Sequence, residues 1–144
     1  MSDARRAVRP RAAMCPPPSP AGPLALELPA TPTSVTTARH ALAEFCAGHA
    51  LDHEAVALAV SEAVANAVVH AYRGRAEGFV RVSASFDDGA LAVVVSDDGP
   101  GMMPRMDSPG MGIGLALIAS LTSSLEVDQG SDGTRLTMRF AREG

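Results

Sequence analysis

The segment AVALAVSEAVANAVVHAY (55–72) limits what this chain can become more than any other. It reads as helix and is almost wholly apolar; its exceptions are Ser61, Glu62, Asn66 and His70. Glu62, Asn66 and His70 are spaced i, i+4, i+8. At about 100° per residue they fall within about 80° of arc, on one edge of the helix. A carboxylate and an amide beside apolar surface are unfavourable without partners, so something polar must lie over that edge. By period alone, the stripe is the solvent side of an amphipathic helix. It is narrow and short of charge for an ordinary wet face, however. Its chemistry suits a metal-bound nucleotide: a carboxylate to accept a proton, and an amide oxygen one turn on to hold a hard cation.

The flanking sequence supplies the layers around this helix. Asp52 is a capping residue, and the helix is expected from there to about Tyr72. LALELP (24–29) alternates apolar and polar and reads as a strand. Thr31 as cap and Pro32 in the first turn start a helix to about Gly48, with Leu42, Phe45 and Cys46 on its apolar side. FVRVSASF (79–86) and LAVVVSD (91–97) alternate with period two, joined by Asp87-Asp88-Gly89 as a hairpin turn. A glycine-rich loop containing Pro100, Pro104 and Pro109 follows, then GIGLALIASLT (112–122), a helix opening on glycines. LEVDQ (125–129) and TRLTMRF (134–140) form a second hairpin around Gly130–Gly133.

Strands joined by hairpins pair antiparallel. The order strand, helix, helix, hairpin, helix, hairpin therefore predicts an α+β fold, a two-layer sandwich of a mostly antiparallel sheet covered on one face by about three helices. It is not a doubly wound parallel sheet. Residues 23–144 are expected to form this domain. Residues 1–22, with Pro10, Pro16, Pro17, Pro18 and Pro20, are expected to be a disordered tail.

Composition removes several function classes. All 12 basic residues are Arg. A G-x-x-x-x-G-K-[ST] phosphate loop and a Lys-nucleophile mechanism are both excluded, since each needs a Lys. Residues 1–22 carry four Arg against one Asp; the remainder carries eight Arg against fifteen acids. An acidic body argues against direct nucleic-acid binding, which needs a basic face; it could meet a basic protein instead. Cys15 and Cys46 do not make a disulfide framework and read as free thiols in a reducing compartment. No apolar run is long enough to span a membrane, and the N-terminus lacks the apolar core of a secretory signal. A cytoplasmic protein is expected. His49 and His53, also i, i+4, have no third ligand in sight, so no zinc site is expected there.

Two glycine clusters complete the pattern. SDDGPGM (96–102) follows a strand, and Gly99 and Gly101 leave room for something to approach the backbone closely. Asp97 can accept a hydrogen bond from an exocyclic amine such as that of adenine. An ordinary strand-exit turn has the same look. GMGIGL (110–115) sets three glycines at a helix start, where unpaired N–H groups suit phosphate. It does not follow a strand within a βαβ unit, so it is not a dinucleotide fingerprint. The conjunction carries the weight: a polar helix stripe, D-x-G-x-G, G-x-G-x-G and a Gly-Thr at 133–134, in that order.

That order resembles the GHKL ATPase superfamily, whose nucleotide site is the Bergerat fold. SEAVANAVVHAYRG (61–74) is most similar to the helix motif of the RsbW-like anti-sigma factor serine kinases. Asp97, Gly99 and Gly101 match the family's D-x-G-x-G box; Gly110, Gly112 and Gly114 match its second glycine box; GTRLTMRF (133–140) matches its terminal strand. The resemblance covers about residues 24–140. It implies that Glu62 is the general base, or the group that orients the attacking hydroxyl. It implies that Asn66 holds Mg²⁺, that Asp97 binds the adenine amine of ATP with help from Thr134 through a water, and that Gly99 and Gly101 pass close to the nucleotide. Gly110, Gly112 and Gly114 would form the hinge of a lid near the phosphates. His70 and Tyr72 are expected to pack or line the site. The chain departs from the pattern in a short stretch from Met102 to Pro109, in Ile113, and in Thr122-Ser123-Ser124 after the third helix.

The implied function is an ATP-binding anti-sigma factor, a homodimer that sequesters a sigma factor and phosphorylates a serine of an anti-anti-sigma (STAS-type) partner. Two alternatives stand beside it. One is a nucleotide-gated protein-interaction module without significant kinase activity. The other is the ATP-binding domain of a histidine kinase, for which His40 is the sole phosphoacceptor candidate; it is followed by Ala41 rather than an acid.

Overall fold

Five strands pair antiparallel throughout, as the hairpins require, in a computed structural model that describes residues 23–72, 78–98, 111–130 and 133–143. The elements in chain order are β1 (Leu24–Pro29), α1 (Thr33–Cys46), α2 (His53–Tyr72), β2 (Phe79–Asp87), β3 (Ala90–Asp97), α3 (Met111–Leu121), β4 (Ser124–Gly130) and β5 (Gly133–Phe140). The sheet order is β1-β2-β3-β5-β4, so the last strand inserts between β3 and β4. The proline-rich tail lies outside the described residues.

The period-two alternation decides which face is covered. Val80, Val82 and Ala84 on β2, Leu91, Val93 and Val95 on β3, and Leu136, Met138 and Phe140 on β5 are all buried. The helices lie against this one face, with α2 packed on β2, β3 and β5 and flanked by α1 and α3. The opposite face carries Arg81, Ser83, Ser96, Arg135 and Arg139. Ala59, Val60, Ala63 and Val64 of α2 have no exposed surface. With so few aromatics, the core is built from Ala, Val and Leu packed at close quarters, as composition required.

Local signals account for most boundaries. Asp52 caps α2 as expected: its Oδ1 accepts from Ala55 N at 3.1 Å. Asp87 pairs with Ala90 across a two-residue loop in which Asp88 and Gly89 both take positive φ, 55° and 83°. That backbone matches the right-handed twist of the flanking strands. The start of α1 differs from the reading above. Pro32, already helical at φ −58°, ψ −31°, occupies the cap position, and no side chain caps the helix. The Thr31 hydroxyl meets those of Thr33 and Ser34 instead. The buried Ser34 donates its Oγ–H to the Pro29 carbonyl at 2.6 Å, tying the helix start to the end of β1.

Cys46 is a buried free thiol at the end of α1; Cys15 lies outside the described residues. Burial pushes its pKa from 9.0 up to about 11. Between those values the folded chain keeps a proton that the unfolded chain has lost, so stability falls as pH rises through that window. Urea unfolding below 9.0 and near 11 should show this loss. Cys46→Ala should flatten it. Among the described residues no helix is long and apolar enough to cross a membrane.

Candidate functional site

The polar stripe of α2 is covered by α3, and a glycine makes the crossing close. Glu62 and Asn66 are half-buried on the edge of α2 that meets α3. Gly114 of α3 is buried directly over them. A Cβ at Gly114 would lie 2.7 Å from Glu62 Oε2 and 2.9 Å from Asn66 Nδ2. The two side chains predicted to hold a metal-bound nucleotide thus end side by side under the same glycine. Asn66 Nδ2 is buried without a hydrogen-bond partner among the described residues. An orphaned buried amide costs about 1–3 kcal/mol. Because the N and O of an amide can exchange places, the same position can present Oδ1 to a cation.

Gly112 and Gly114 stand at the start of α3 as the sequence predicts: the helix begins at Met111, one residue ahead of the expected start, and both glycines lie inside its first turn. Packing of α3 against α2 overrides the poor helix propensity of glycine. Gly99, Gly101 and Gly110 lie outside the described residues. The side chains of His70 and Tyr72 do too, although both residues close α2.

At the other wall, Asp97 ends β3 on the helix-covered face and is 7% exposed. Its neighbour Asp98 is engaged elsewhere: Phe79 N donates to Asp98 Oδ1 at 3.2 Å, holding the start of β2. Asp97 pairs across β3–β5 with Thr134, and Thr134 pairs across β5–β4 with Gln129. These three form a polar row at the end of an apolar pocket. Ala63, Asn66 and Ala67 of α2, Val95 of β3, Leu115 of α3, Val127 of β4 and Leu136 of β5 supply the remaining walls. Apolar walls with a few polar groups at one end suit a flat ring with a polar edge. Asn66 joins the two halves, lining the pocket while its amide end reaches under Gly114.

Gly133 makes the row possible. Its φ is +135°, and a Cβ there would collide with the Asp97 backbone carbonyl. Only glycine lets β5 approach β3 at this point. The sequence reading missed Gln129. Its signal was the strand alternation, which puts Leu125, Val127 and Gln129 on one face of β4. Among the described residues no three His, Cys, Asp or Glu gather as a metal site. His49 stacks on Phe86 at 4.0 Å, and His53 Nε2–H bonds the His49 carbonyl.

The chain matches the histidine kinase-like ATPase domain family over residues 28–140. It belongs to that family. The ATPase domain is 31% identical over 96 residues to an anti-sigma F factor of Clostridium beijerinckii, covering 58% of this chain and 67% of that one. It is 35% identical over 79 residues to the serine-protein kinase RsbW of Listeria innocua, covering 53% of this chain and 50% of that one. Among solved structures it is similar to the RsbU and RsbW domains of a Mycobacterium tuberculosis protein, with a TM-score of 0.66 at 29% identity. That match covers 85% of this chain and 34% of the other. The ATPase domain therefore spans half to two thirds of these two curated relatives and about a third of the mycobacterial chain. The α+β sandwich and the GHKL, RsbW-like resemblance read from the sequence both hold.

Proposed function

We propose that the protein is an ATP-binding anti-sigma factor with serine-protein kinase activity, acting in the cytoplasm as a homodimer. It would sequester a sigma factor and be countered by an anti-anti-sigma (STAS-type) partner whose serine it phosphorylates. The observation that carries this reading is the convergence of Glu62 and Asn66 under Gly114, beside the pocket that ends in Asp97. The relatives' names, anti-sigma F factor and serine-protein kinase RsbW, support a sigma factor as one partner and a protein serine as phosphate acceptor; the STAS-type partner and the homodimer are what the family resemblance implies.

In this reading Asp97 accepts a hydrogen bond from the exocyclic amine of adenine, Thr134 supports it through a water, and Val95, Leu115 and Leu136 flank the ring. Asn66 would hold Mg²⁺ through its amide oxygen; a single protein ligand suffices, since Mg²⁺ keeps several waters and takes phosphate oxygens besides. Mg²⁺ would neutralise charge on the phosphates. Glu62 orients the seryl hydroxyl of the partner and accepts its proton as the serine oxygen bonds the γ-phosphorus and ADP departs. Catalysis of this type is positioning and charge neutralisation. Gly99, Gly101, Gly110, Gly112 and Gly114 would let loop and helix backbone close on the nucleotide.

Calorimetric titration with Mg-ATP tests the reading. Wild type should bind, Asp97→Ala should lose at least about tenfold in affinity by losing a buried charge-assisted hydrogen bond, and Asn66→Ala should lose most of its Mg²⁺ dependence. A folded wild type that binds no ATP would sink the proposal. Transfer to a STAS-type protein should then fail in Glu62→Gln while ATP binding persists.

A further inference from the structure

We propose that Gln129 reads the base of the bound nucleotide and sets a preference for adenine over guanine. The inference rests on the nucleotide reading above and adds a residue to it. Gln129 and Asp97 stand at opposite ends of one row across three strands, with Thr134 between them. At about 4.8 Å per strand the outer backbones are about 10 Å apart. A purine can lie between side chains that enter from each end, and both Asp97 and Gln129 line the pocket.

Asp97 alone does not distinguish the two purines. A carboxylate only accepts hydrogen bonds, and adenine and guanine each carry an exocyclic amine that can donate to it. Their ring edges differ. Adenine presents bare ring nitrogens, which accept; guanine presents an N1–H, which donates. Selecting adenine therefore needs a donor near the carboxylate. Thr134 offers one hydroxyl and already takes part in another interaction. Gln129 offers an NH₂ with two donors beside a carbonyl that accepts, and the orientation in which the NH₂ faces the ring is the one that favours adenine. Its amide is free of hydrogen bonds to the other described residues. Gln129 also sits half-buried on an edge strand, outside the hydrophobic core, so its identity is not dictated by packing.

The test is the ratio of ATP to GTP affinity, measured by calorimetry on wild type, Gln129→Glu and Gln129→Leu. Gln129→Glu keeps the length and an acceptor and removes both donors; its added charge repels both triphosphates alike, so the ratio isolates the base. Gln129→Leu removes the donors without adding charge. Both variants should narrow the preference for ATP by about tenfold, the size of one lost polar contact in a desolvated site. If wild type binds ATP and both variants keep its ratio, this inference is overturned and the nucleotide site stands. If wild type binds neither triphosphate, both readings fall.

Discussion

Gly114→Ala should leave the domain at least as stable as wild type while ATP affinity drops more than about tenfold. Alanine is favoured over glycine inside a helix by about 0.8–1 kcal/mol, and α3 gains that term. A Cβ at this position presses on Glu62 Oε2 at 2.7 Å and Asn66 Nδ2 at 2.9 Å. Both atoms are the free ends of flexible side chains, so they swing aside at little cost and the apolar core is untouched. They are also the atoms on which the proposed chemistry depends. Stability and affinity should therefore part company in one variant, with an unchanged or higher melting temperature and weak calorimetric binding on the same sample. Wild-type affinity in a folded Gly114→Ala would show that Glu62 and Asn66 do not act from their observed positions.

Gly133→Ala should behave in the opposite way, with a loss of about 3 kcal/mol or more in urea unfolding. The obstacle there is the backbone carbonyl of Asp97, which has no rotamer to change, and φ is +135°. To admit a methyl group, β5 must move off β3 at the Asp97–Thr134 pair. The variant should lose the pocket together with its stability. A Gly133→Ala protein unfolding at the wild-type urea midpoint would mean that the close approach of these strands is not required.

These two glycines also mark where sequence reading stops. Glu62 and Asn66 were legible because helical period is a one-dimensional property: spacing alone puts them on one edge. The β2–β3 hairpin was legible because Asp88-Gly89 is a local turn signal between alternating strands. Gly114 was visible as one glycine among three at a helix start, and the family resemblance made it part of a hinge. Its use as the place where α3 closes on α2 depends on residues about fifty positions upstream, which no local pattern reports. Thr31 looked like a cap by type, but the turn at Pro32 and the bond from Ser34 to Pro29 put the helix start one residue later. Gln129 was passed over because its place in the site comes from pairing with Thr134, a matter of strand register. The family resemblance supplied roles for Asp97 and Thr134 that composition and spacing left open.

The position of β5 has a further consequence, for biosynthesis. β3 is complete at Asp97, but its second neighbour in the sheet is made some forty residues later. A nascent chain emerging from the ribosome can close the β2–β3 hairpin early and lay α2 upon it. Until Gly133–Phe140 emerge, β3 keeps an unpaired edge and Met138 and Phe140 are missing from the core. Such edges are sites of mispairing. The polar row at the end of the pocket is therefore assembled last, and during translation a functional pocket can appear only as the sheet becomes whole.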